Sequence, residues 1–159
     1  MTVITHNQRR SRLAEMVDRP GGISVGVALA QAKANLDVLQ GQARDIIARN
    51  IAVLLAKPDP DLIEPLRLDA AYSASSQIID AASPFSMDDL CTAAKGLCDL
   101  LDAAPRQGGF DWRIATVHAQ AMKVLLSLPP QEQAARTAIL ANLHEVLRRK
   151  LPAADQSAG

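Results

Sequence analysis

Aromatic residues are almost missing from this chain of 159 residues, which has two Phe, one Tyr and one Trp. Four rings cannot form a base-stacking platform, and an excess of positive charge is missing too, since 17 basic residues face 17 acidic ones. General nucleic-acid binding is therefore disfavoured. Cysteine is limited to Cys91 and Cys98, with no apparent secretory signal, so an intracellular, cytoplasmic protein in a reducing compartment is expected. Seven residues apart on one predicted helix, the two thiols lie about 10 Å apart along its axis and cannot pair. Both are expected to act as small core hydrophobes. No long uncharged apolar run exists. The richest stretch, Ile46 to Ala56, contains Arg49 and Asn50, so no membrane span is predicted.

Catalytic and cofactor motifs are also absent. His6, His118 and His144 have no metal-ligand spacing, and no Cys-x-x-Cys or His-Glu-x-x-His occurs. Gly21-Gly22 and Gly108-Gly109 lack the residues of a phosphate-cradling loop and are expected to be turn punctuation. No cofactor, no metal and no enzymatic activity are expected. Period-two alternation is missing as well, which leaves a β-sheet without candidate strands.

Helical pattern is present throughout, divided by proline. Pro20-Gly21-Gly22, Pro58 with Pro60, Ser83-Pro84, Pro105 to Gly109 and Pro129-Pro130 separate five long segments. The first, Val25 to Ala56, carries a seam of Val25, Leu29, Ala32, Leu36, Leu39, Ala43, Ile46 and Val53, capped by Ser24, with Asn50 interrupting it. Ala28, Ile47, Ile51, Leu54 and Leu55 form an apolar flank to that seam. The second begins at Asp59-Pro60, with Pro65 either the start of the regular helix or a kink in it, and presents Leu68, Ala71, Ser75, Ile78, Ile79 and Ala82. Ser86 to Asp89 resembles a capping box ahead of Leu90, Ala94, Leu97 and Leu101. The fourth segment starts near Asp111 with Ile114, Val117, Ala121 and Leu125. After Pro130 the fifth presents Ile139, Leu143, Val146 and Leu147. The expected fold is all-α, an antiparallel four- or five-helix bundle with one long N-terminal helix. Residues 1–22 are expected to be a mobile basic segment, residues 23–151 the bundle and residues 152–159 a disordered tail.

Charge is segregated along the chain. Residues 1–57 carry a net +4, residues 59–111 a net −7 and residues 112–159 a net +3. Complementarity between neighbouring helices explains this more economically than a docking surface for a basic partner. Two local features touch on chemistry. His118 borders the apolar stripe of the fourth helix, where a histidine phosphotransfer protein carries its phosphoryl group. The Lys and Gly expected three and four residues later are replaced by Ala121 and Met122, which favours a packed structural histidine. Asp37 and Gln40, one turn apart, match the acid-and-amide pair with which a response-regulator phosphatase orients water, and equally match an ordinary solvated helix face.

Several pieces together resemble CheE-like proteins, small helical proteins encoded with bacterial chemotaxis genes. They are Arg19-Pro20-Gly21-Gly22 with Ser24, Ala28-Leu29 and Ala34-Asn35-Leu36, then Ile78-Ile79 with Ala82 and Phe85. Gly96-Leu97-Cys98-Asp99-Leu100 and Val117-His118 with Ala121 and Leu125-Leu126 complete the set. Ala82-Ser83-Pro84-Phe85 and Met122-Lys123 depart from the pattern. The resemblance implies a chemotaxis or two-component signalling role, exercised by binding a kinase, response regulator or other pathway protein. It assigns no catalytic residue. Self-association through one helix is compatible with the spacing and not required by it.

Overall fold

Helix starts and stops fall largely where the capping and proline signals place them. The computed structural model describes residues 24–56, 63–104 and 109–151. The basic segment 1–22, the Asp59-Pro60 start and the tail 152–159 lie outside those residues. Among the described residues there are five α-helices, α1 Val25–Leu55, α2 Glu64–Ala82, α3 Asp88–Ala103, α4 Trp112–Ser127 and α5 Gln133–Lys150, with a 3-10 turn at Ser83–Phe85. No strand occurs among the described residues. The all-α helical bundle with a long first helix is thus what forms.

Ser24 caps α1 through its hydroxyl, which accepts from the Val27 N–H at 3.3 Å. Pro65 sits in the first turn of α2, where its missing N–H costs no hydrogen bond, so the regular helix begins there and is not kinked. Asp111 caps α4 by accepting from the Arg113 N–H at 3.2 Å. The capping box expected before α3 does not form, because Ser86 adopts the left-handed conformation (φ 54°) and Met87 occupies the cap position. Asp88 and Asp89 still lie in the first turn, at the positive end of the helix dipole.

The chain divides into two units, Met1–Val38 and Leu39–Gly159, with the division inside α1. In the first unit, the described residues form the opening turns of α1, and all of them are exposed. In the second unit α3 is central. It packs most extensively on α2 and also against α4 and α5. Its seam, Leu90, Ala94, Leu97 and Leu101, is buried in full. Around it gather Ala71, Ile78 and Ala82 from α2, Ala115, Met122 and Leu125 from α4, and Leu143 from α5.

The expected seam of α1 is not the buried face. Val25, Leu29, Leu36 and Leu39 are 73%, 66%, 55% and 51% exposed, and of that seam only Ala43 is buried. The core takes Ile47 and Ile51 instead, with Leu54 and Leu55 packed against it. From Ala43 onward the buried positions recur every four residues, at Ala43, Ile47 and Ile51, which follows the flank of the expected seam and not the seam itself. Asn50, half-buried, donates its amide to the Ile46 carbonyl at 3.1 Å and so satisfies itself within its own helix.

Candidate functional site

A concavity of about 630 Å³ lies between α2 and α3 in the second unit. Pro65, Leu68, Asp69 and Tyr72 fall on one face of α2, at the three- and four-residue spacing that aligns helix side chains. Leu101, Asp102 and Ala104 supply the other wall, with Glu64 and Gly109 at one end. Gly109 has a φ of 143°, which only glycine adopts without strain. A cavity of this size falls in the range of ligand and side-chain docking sites.

That end is built from aromatic contacts. The Trp112 indole N–H donates to both oxygens of Glu64, at 3.1 and 3.2 Å. The Arg67 guanidinium lies over the same ring, 3.6 Å from its centroid, and Phe110 meets it edge-on at 5.0 Å. Stacked cations and edge-to-face rings each contribute about 0.5–1 kcal/mol at sites of this exposure. Trp112 therefore ties the start of α4 to the start of α2. With Tyr72 in the wall, three of the chain's four aromatic residues gather at this groove.

Its field is negative. Asp102 acts first to push the Tyr72 phenol above its usual pKa, followed by the Cys98 thiol, burial and Asp99. The Cys98 thiol itself is pushed up to about 11, mainly by burial and then by Asp102 and Asp99, with a hydrogen bond to Ser75 opposing the shift. Cys91 is shifted upward too, by burial first and Asp88 second. Both thiols are free and protonated at neutral pH, which suits packing and not nucleophilic attack. No cluster of metal-ligating side chains occurs among the described residues.

His118 is fully buried, with 0% of its surface exposed. Its Nδ1 lies 3.0 Å from the Ile114 carbonyl, which can only accept, so Nδ1 carries the proton. The bare Nε2 has no partner. It lies near Gly96 of α3, where an added Cβ would sit 3.8 Å from it and 2.7 Å from the Leu147 side chain of α5. Burial lowers the His118 pKa, opposed by the bond to Ile114. A phosphoryl donor has no open path to either ring nitrogen in this arrangement.

Asp37 and Gln40 are both exposed on α1. Asp37 belongs to the first unit, whereas Gln40 lines a second cavity of about 470 Å³ in the second unit. That cavity is organised by two arginines at the C-terminus of α4. Arg44 donates to the Leu126 carbonyl, and Arg136 donates to the carbonyls of Leu125 and Leu128 at 3.0 and 3.1 Å. Arg136 also pairs with Asp89 at 2.7 Å. These contacts satisfy carbonyls that a helix end leaves without a partner, a structural task. His118 is not among the residues lining this cavity.

The α2–α3 groove was not assigned from the sequence. The signal available for it was the acidic block of residues 59–111, together with Phe110 and Trp112 at its C-terminal end. Compared with known proteins, the chain matches no family model, no curated protein and no solved structure. No helix among the described residues is long and apolar enough to cross a membrane.

Proposed function

We propose that this protein is a non-enzymatic regulatory or adaptor protein of a cytoplasmic chemotaxis or two-component pathway, which binds a kinase, response regulator or other pathway protein through the α2–α3 groove. The observation that carries the binding role is the groove itself. An apolar cleft with tyrosine in its wall, a tryptophan cluster at its end and carboxylates at its rim has the composition of a protein-docking surface. The resemblance to CheE-like proteins supports the choice of pathway. The buried His118 supports a binding role over phosphotransfer.

The test is a binding screen by calorimetry against the kinase and response regulators of the pathway. At least one is expected to bind in the micromolar range, as transient signalling contacts of this size do. Failure of every candidate at tens of micromolar removes the reading.

A further inference from the structure

We infer that the α2–α3 groove takes a cationic amphipathic helix of its protein partner, a proposal that rests on the groove being the binding site. The groove combines an apolar floor with acidic walls. Leu68 and Leu101 lie in it from opposite helices, and Asp69 on α2 and Asp102 on α3 stand exposed on its two sides. No ion pair among the described residues engages either carboxylate. Glu64 is already committed to the Trp112 indole, and the nearby Arg67 to the face of that ring. The charge on the rim is therefore unbalanced locally, and its influence reaches the Tyr72 phenol, whose ionisation Asp102 and Asp99 oppose.

An occupant complementary to this groove places apolar side chains between α2 and α3 and a Lys or Arg against each wall. A helix presents that arrangement from one face, with apolar anchors three and four residues apart flanked by basic residues. An acidic or neutral helix leaves Asp69 and Asp102 facing like charge or partly desolvated without a partner, which opposes docking. A net charge of −7 over residues 59–111 adds long-range attraction for the same basic class of partner.

Trp112 is the only tryptophan, so its emission reports on this end of the groove. The experiment titrates the full chain with two synthetic helical peptides of identical leucine pattern, one carrying Lys and Arg at the flanking positions and one carrying Glu. The basic peptide is expected to bind and to weaken as salt is raised, and the acidic one to fail. The double variant Asp69→Asn/Asp102→Asn is expected to lose about tenfold in affinity, from two exposed charge pairs. The double variant Asp45→Asn/Asp80→Asn makes the same change in net charge at exposed sites outside the groove and is expected to bind like wild type. Circular dichroism checks that both variants keep their helical content.

Equal binding of the two peptides, or equal losses in the two double variants, overturns the proposal. So does a wild-type chain that self-associates through Asp69 and Asp102 and ignores the basic peptide, because the occupant is then a second copy. A pathway protein that binds Asp69→Asn/Asp102→Asn as tightly as wild type removes this inference and leaves the adaptor role standing. Peptide binding without any pathway partner removes the adaptor role and leaves the groove's preference intact.

Discussion

Replacing His118 with leucine should flatten the dependence of stability on pH. In the folded protein the ring is fully buried, Nδ1 donates to the Ile114 carbonyl and Nε2 lies near Gly96 without a partner. Protonating Nε2 adds a charge with nothing to receive its proton, so the folded-state pKa falls below the ordinary 6.5. Between 6.5 and the lower folded value, the unfolded chain holds one more proton than the native state. Stability is accordingly full above 6.5 and is lost as the pH falls, at up to about 1.4 kcal/mol per pH unit. For a domain of this size that amounts to roughly 3–5 °C in midpoint per unit. Below the folded pKa the slope ends.

His118→Leu removes this term. It also removes an unsatisfied buried nitrogen, which offsets the lost bond to Ile114, so near neutral pH the variant should lie within about 1 kcal/mol of wild type. The assay is denaturant unfolding of both proteins at steps from about pH 7.5 to pH 5, followed by circular dichroism, with the difference plotted against pH. His144 is exposed and common to both proteins. Glu145, held down to about 2 by its hydrogen bonds to Arg148 and Arg149, titrates below this window. Parallel curves for the two proteins would refute the reasoning and show that the ring is not held neutral by burial.

Three further substitutions test the packing. A Cβ at Gly96 would lie 2.7 Å from Leu147 Cδ1, so Gly96→Val should cost about 2–3 kcal/mol in thermal unfolding. Gly96→Ala should change stability by less than about 1 kcal/mol, because the half-buried Leu147 can turn and alanine gains helix propensity; equal losses for both variants would contradict this. Arg136→Met should cost about 2–4 kcal/mol, since it strands Asp89 and two carbonyls beside a side chain only 13% exposed, and a neutral result in calorimetry would deny the arginine its capping task. Ser86→Gly should raise stability by about 0.5–1 kcal/mol in denaturant titration, because glycine accepts a φ of 54° without crowding, and a loss would show that the serine side chain matters more than its backbone.

The all-helical architecture, the Ser24 cap, the start of α4 near Asp111 and the fully buried seam of α3 were legible in the sequence because each depends on local spacing and on one or two neighbouring residues. The same holds for the absence of strands among the described residues, whereas the sequence left open whether Pro65 opens α2 or kinks it. Which stripe of α1 meets the core was not legible. Two apolar stripes run along that helix, and only the docking of the other helices selected Ile47 and Ile51 over Leu39 and Ile46. The state of His118 was likewise decided at a distance in sequence, by burial of its ring near Gly96 of α3. The groove required tertiary structure for a similar reason. The sequence showed an acidic block, but the pairing of α2 with α3 placed Asp69 and Asp102 on facing walls, and it was the Trp112 contact between α4 and α2 that closed one end.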